Sequence, residues 1–261
     1  MSQQRYYTTQ LQAGLGLLEE TRQLLQVYQA GMSASQLYEA ALASGRFPLV
    51  TARRLRNIVA ECFAPRYMRD PLVADRLKSL ADRFTTAEFN QLLFIYTARA
   101  NLVLADFVRE VYWARYSAGR NDLQLEDART FVANSVREGK TQKPWSETTI
   151  KRISSYLMGC CADYGLLATT GRNQRSIAAY RILPKVVAYL AYDLKFSGLG
   201  DNQIVSSSDW DLFGLERADV RDQLKRLSLQ GLLIFQAASD VVHIGWTYKS
   251  MEELIDVIAQ S

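Results

Sequence analysis

Two sets of basic side chains have the types and spacing for chemistry: Arg53, Arg54 and Arg56, then Lys143, Lys151, Arg152, Arg172 and Arg175. That chemistry is anion capture. The first three fall in the opening turns of an expected helix, where the dipole disfavours cations unless an anion docks there. A phosphate at such an end meets free backbone N–H groups and guanidinium forks together. Taken alone, the cluster also reads as a solvated basic face. Thr51, Ser146, Thr148, Thr149 and Asn173 stand beside these cations as neutral donors, and Arg66 follows the first set as one more cation.

Bond-breaking chemistry finds no matching pattern. Gly14-x-Gly16 resembles part of a dinucleotide loop, but position 19 is glutamate and the surroundings read as helix, not strand. There is no P-loop and no G-x-S-x-G. The one histidine, His243, alternates with Val242, Ile244 and Trp246 in a strand pattern, which places it on a surface face. Cys62, Cys160 and Cys161 are too few for a disulfide framework and read as small apolar core residues in a reducing compartment. A zinc site needs about four Cys or His ligands at paired spacings. An enzyme, a metal, a cofactor and a small-molecule substrate are therefore not expected.

With 48% hydrophobic and 22% charged residues among 261, the chain has material for a substantial core. The net charge of +4 is unevenly placed: +3 over 1–70, zero over 71–136, +5 over 137–182 and −4 over 183–261. The most apolar run, Leu92 to Val108, contains Arg99, Asn101 and Asp106 and is shorter than the ~20 residues a spanning helix needs. It reads as a buried helix. The polar start MSQQRYYTTQ lacks a following apolar region, so a cytoplasmic location without membrane contact is expected.

The elements that position the basic residues are mainly α with small β-hairpins: helix-turn-helix or winged-helix units joined by a helical spine. Residues 1–69 read as a helical, helix-turn-helix-like domain. Its first helix spans 15–30, capped by Thr8 or Thr9 and broken by Gly31. A second runs from Ser33 to Ser44, and Thr51 caps a third from Ala52 to Phe63 that Pro65 ends. Residues 70–142 form the spine, with a helix from Thr85 or Thr86 towards Tyr116, about 45 Å long if continuous. Its aromatic end (Tyr112, Trp113, Tyr116) reads as core rather than as a base-stacking platform. A shorter helix covers 126–138.

Residues 143–261 form the third domain, and its basic part is 143–183. Ser146 caps a helix, with Trp145 set to pack on Ile150. Strand 166–169, the tip TGRNQRS and a return over 177–183 follow. A helix with a basic start followed by a basic hairpin is the winged-helix arrangement, whose usual partner is duplex nucleic acid. After a helix from Pro184 to Phe196, the segment 209–248 repeats the pattern. Short and longer helices (209–213, 216–230) precede a hairpin of 232–238 and 241–248 through Ser239-Asp240. Glu216, Asp219 and Asp222 occupy this second helix start, where phosphate is repelled. The copy reads as a protein-contact or packing unit, although Arg221, Lys225 and Arg226 keep a DNA role open. A last helix covers 251–259.

Several stretches carry a family resemblance. Leu17-Leu18-Glu19-Glu20-Thr21-Arg22 with Leu24-Leu25, Gly31-Met32-Ser33, and the Arg53-Arg54-Leu55-Arg56 helix ending in Phe63-Ala64-Pro65-Arg66-Tyr67 resemble BrxA, a small component of BREX bacteriophage-defence systems. Trp145-Ser146-Glu147-Thr148-Thr149 and Asp163-Tyr164-Gly165-Leu166-Leu167 are similar to that family too. The resemblance implies a cytoplasmic, non-catalytic protein with winged-helix elements that binds double-stranded DNA beside other BREX components. The expected contacts are Arg53, Arg54, Arg56 and Arg66 with Thr51, and Lys143, Lys151, Arg152, Arg172 and Arg175 with Ser146, Thr148, Thr149 and Asn173. Structured RNA as ligand, or an adaptor role among proteins, are the alternatives.

Overall fold

A computed structural model describes residues 6–171 and 174–260. The chain is mainly helical with two antiparallel hairpins, and its contacts group it into two compact units. Residues 1–81 with 93–180 form the first; residues 82–92 with 181–261 form the second. The three-part reading above follows chain order, whereas these units follow packing.

The first unit begins with a 3-10 turn, Gln10–Ala13, and helix α1, Leu18–Val27. The expected helix from residue 15 does not form, because the backbone between them is pinned elsewhere. Leu17 sits in the left-handed region (φ 49°), and the carbonyls of Gly14 and Gly16 accept hydrogen bonds from the buried Arg66 guanidinium at 3.0 and 3.4 Å. The Gly16 N–H donates to Asp163 Oδ2 at 2.9 Å, and a Cβ at Gly16 would lie 2.7 Å from Asp163 Cβ. The Gly14-x-Gly16 pair is thus a close-packed clasp.

Helix α2, Ala34–Ala43, opens with a capping box between Ser33 and Gln36. Helix α3, Ala52–Asn57, is capped by Thr51. It passes through a π-helical stretch, Ile58–Phe63, into α4, Ala64–Tyr67. Pro65 does not stop it, because the widened turn accommodates a residue without an N–H. Helix α5 is Pro71–Leu80, capped by Asp70.

The expected continuous spine is broken. Helix α6, Thr86–Ala100, starts on a reciprocal Thr85–Glu88 cap. At Asn101 the backbone leaves the helical region (φ −128°, ψ 88°), and the chain resumes as α7, Leu102–Phe107, a π-helical stretch Val108–Tyr112, and α8, Trp113–Ser117. The bend is 112°. The Thr97 carbonyl closes the helix by accepting both the Asn101 N–H at 3.0 Å and Asn101 Nδ2 at 2.9 Å. Among the described residues no single helix is long and apolar enough to cross a membrane; the bent pair is so only when taken together.

Helix α9, Leu125–Arg137, packs along α10, Glu147–Asp163. Strands β1, Leu167–Gly171, and β2, Gln174–Ile177, follow, pairing Leu167 with Ile177 and Thr169 with Arg175. Asp122, just before α9, bridges antiparallel to Ser176, and the Ile177 N–H donates to the Asn121 carbonyl. The return strand stops at Ile177, short of the expected Leu183.

The second unit holds α11, Pro184–Phe196, which is almost wholly buried, and α12, Asp201–Val205. A 3-10 turn, Trp210–Phe213, leads to α13, Arg217–Leu229. Strands β3, Leu233–Ala238, and β4, Val241–Trp246, join through Ser239-Asp240, and α14, Met251–Ile258, packs on α11. His243 lies on the exposed face, 71% accessible, while Val242 and Ile244 are buried. All three cysteines are free and buried in the first unit.

Candidate nucleic-acid interface

The start of α10 collects most of the expected contacts. Lys143, Ser146, Thr148, Lys151 and Arg152 are exposed, and Thr149 is half-buried. Ser146 Oγ accepts from the Thr149 N–H at 3.3 Å and lies 3.0 Å from Thr149 Oγ1, so this pair is committed to the cap. Glu147, the one acid in that turn, sits 3.3 Å from Arg129 of α9. Arg129 also faces Glu126 at 3.9 Å, so the charge of Glu147 is only partly offset. Lys143, Lys151 and Arg152 have no ion pair or hydrogen bond from their side chains among the described residues and set the local potential. The buried stripe beneath them (Ile150, Ile153, Leu157, Cys160, Cys161) holds the helix in place.

The hairpin beyond α10 is anchored at its base. Tyr112 donates its hydroxyl proton towards two carbonyls, Leu166 at 2.9 Å and Ala178 at 3.0 Å, one on each flank of the hairpin. Burial pushes this phenol well above the usual tyrosine range. Of the expected basic tip, Arg172 and Asn173 lie outside the described residues. Arg175 is half-buried, with Nη1 shielded from solvent and without a hydrogen-bond partner. It helps to hold down the pKa of Cys161, which burial raises overall.

The start of α3 presents a second basic surface. Arg53, Arg54 and Arg56 are exposed. Thr51 Oγ1 accepts from the Arg54 N–H at 3.2 Å, and the Arg56 guanidinium stacks 5.0 Å over the Tyr38 ring of α2. Leu49, 97% exposed, stands at the apex of the Phe47–Val50 turn just before this helix, a feature the sequence reading passed over. Both basic helix starts belong to the first unit.

Arg66 leaves the candidate set. It is 6% exposed, and its guanidinium is bonded to the Gly14 and Gly16 carbonyls beside Tyr67, Tyr164 and Cys160. The π-helical stretch before it turns the side chain inward, which helical spacing alone does not reveal. Of the aromatic end of the spine, Tyr112 is core, but Tyr116 is 45% exposed. Among the described residues, no group of three or more His, Cys, Asp or Glu side chains is placed to hold a metal ion.

The second unit repeats the helix–hairpin geometry. Tyr192 of α11 donates its hydroxyl to the Leu232 carbonyl at 2.6 Å and accepts from the Thr247 and Tyr248 N–H groups at 3.1 and 3.3 Å, closing the base of β3–β4. Gly165-Leu166-Leu167 and Gly231-Leu232-Leu233 make the same exit from their helices: both glycines have positive φ (82° and 74°). Leu166 N–H bonds the Cys161 carbonyl as Leu232 N–H bonds that of Leu227. The expected acidic helix start is present, but its acids have internal roles. Asp219 Oδ2 accepts from the Glu216 N–H at 2.9 Å, and Asp222 lies 3.0 Å from Lys225.

Comparison with known proteins bears on about three quarters of the chain. One solved structure, described as an uncharacterized protein from Magnetospirillum magneticum, superposes with a TM-score of 0.56 at 16% identity, over 73% of this chain and 94% of that one. At that identity it speaks for the fold alone. No functionally curated protein matches. A sequence model of the BrxA family matches residues 5–193, well over half of the chain and both basic helix starts. The chain therefore belongs to the BrxA family, a membership that fits a BREX-associated protein.

Proposed function

We propose that this chain is a non-catalytic, cytoplasmic accessory component of a BREX phage-defence system that binds double-stranded DNA through its phosphate backbone, beside other BREX components. The observation that carries this reading is the element order around α10: helix α8, the Asp122 bridge, α9, α10, then β1 and β2 with Ser176 returning to Asp122. A helix, a short strand, two helices and a hairpin whose last strand pairs with the first is the order of a winged helix, with α10 as recognition helix. Exposed Lys151 and Arg152 on its first turns meet phosphate or base edges, with Lys143 just before it. The arginine-rich start of α3, with α1 and α2 around it, is a second helix-turn-helix-like contact. Contacts go mainly to phosphate, so sequence preference is weak.

The test is a salt titration of the purified chain on a fluorescent DNA duplex, with unlabelled RNA of matched length as competitor. Each neutralised phosphate contributes about −0.9 to the slope of log K against log salt. Lys151→Gln with Arg152→Gln is expected to flatten the slope by about 1.8 and to weaken binding roughly 30-fold at 0.15 M salt. Arg53→Gln with Arg54→Gln reads the α3 contact in the same way. Absence of a salt-dependent shift with wild-type protein, or RNA competing better than DNA, overturns the proposal.

A further inference from the structure

We propose that the second unit carries its own phosphate-binding cleft, on the face of α13 that looks towards the β3–β4 turn. This inference rests on the DNA-binding reading above. The unit as a whole is acidic, with 9 basic and 13 acidic side chains, and its helix start led the sequence reading towards a protein contact. The cleft faces the other way. Arg217, Arg221 and Lys225 recur every four residues, so they form one stripe along α13. With Ala218, Asp222 and Asp240 they line a cavity of about 430 Å³.

Two of the three cations are held in place by the hairpin turn. Arg221 Nη2 donates to the Ser239 carbonyl at 2.8 Å, and Arg217 Nη2 donates to the Asp240 carbonyl at 3.1 Å. Ser239 adopts a positive φ of 53°, uncommon for serine, and it is the residue whose carbonyl receives Arg221. These bonds use the carbonyl dipoles and leave most of each guanidinium's positive charge for a ligand. Arg221 Nε is buried without a hydrogen-bond partner. The acids of the cleft compete only partly: Asp222 pairs with Lys225, while Asp240 is 93% exposed and its oxygen stands 4.0 Å from Arg217.

The two helix–hairpin modules can also be aligned on their turn glycines. Lys151 stands fourteen residues before Gly165, and Arg217 stands fourteen before Gly231, at the matching turn. Arg217 therefore occupies in the second module the place of the principal candidate cation in the first. A phosphodiester of duplex DNA fits the cleft: its oxygens accept from the Arg217 fork and from Lys225, and Asp222 yields Lys225 to it. The acidic side chains around the stripe limit the site to a few phosphates.

The experiment uses the full chain and a fluorescent duplex of about 30 base pairs, titrated at several salt concentrations. Arg217→Gln with Lys225→Gln is expected to flatten the log–log slope by about 1.8 and to weaken binding roughly 30-fold at 0.15 M salt. Lys249→Gln, an exposed cation of the same unit outside the cleft, is expected to leave both unchanged. Should the double variant not fold by circular dichroism, Lys225→Gln alone, at an exposed helix position, carries the test with a slope change of about 0.9. An unchanged slope in these variants, while Lys151→Gln with Arg152→Gln loses affinity, removes the second cleft and leaves the first site standing. Failure of the wild-type chain to bind any duplex removes both.

Discussion

The helix–hairpin module around α10 and the one around α13 share a skeleton and differ in charge. Each has a helix ending in Gly-Leu-Leu, a two-stranded hairpin, and a tyrosine hydroxyl bound to backbone at the hairpin base. The unit around the first carries 22 basic and 14 acidic side chains; the unit around the second carries 9 and 13. Backbone geometry here is fixed by turn glycines and buried tyrosines, neither of which constrains the exposed face. The exposed face is free to vary in charge without changing this skeleton.

The comparison sharpens first on which cations belong to the fold. Arg66→Met is expected to destabilise the first unit by about 3 kcal/mol, because two carbonyls lose a charge-assisted donor inside the core. Urea unfolding measures it; a loss below about 1 kcal/mol would return Arg66 to the surface set.

Next, Tyr112→Phe and Tyr192→Phe should each cost about 2 kcal/mol, since each strips a buried hydroxyl from backbone groups left without it. A clear effect at one and none at the other would break the equivalence of the modules.

A smaller effect separates the two helix starts. Ser146→Ala and Asp219→Ala each remove a side-chain cap and should cost about 1 kcal/mol in thermal melts. Neither change is expected to weaken DNA binding beyond its effect on folding.

An alkaline effect is confined to the first unit, which holds all three cysteines. Burial pushes the Cys160 thiol up to about 12 and raises Cys161 as well. The folded state thus prefers the protonated thiols. Their contribution is complete below the unfolded thiol value of roughly 8.5 and is lost as pH climbs from there towards 12. Melts at pH 7 to 10, with thiol reagent added to the native protein, should show falling stability above pH 9 and little labelling before unfolding. Rapid native labelling at pH 8 would contradict the burial.

Much of the architecture was legible because its signals are local. Ser33, Thr51 and Ser146 cap helices through their own side chains, and the Ser239-Asp240 hairpin sits where the alternating pattern put it. Three features were not legible. A break at Asn101 looks like one polar residue in an apolar run, yet the chain bends there by 112°. Gly14 and Gly16 looked incidental, and only packing against Arg66 and Asp163 explains them. Arg221 and Lys225 were visible as cations, but their alignment with Arg217 against the hairpin turn was not, and the roles of Glu216 and Asp219 in the cap are seen only in three dimensions.

By itself, then, the sequence determined the mainly helical class, most helix starts, the two hairpins and the uneven charge. Those follow from side chains acting on backbone within a few residues. Tertiary structure decided which cations face solvent, where the long helix bends and how the two modules correspond. Those outcomes depend on groups far apart in the chain, such as Tyr164, which donates to the Gly16 carbonyl at 3.3 Å across 148 positions. No local pattern encodes a partner at that separation, because burial is a property of the packed whole.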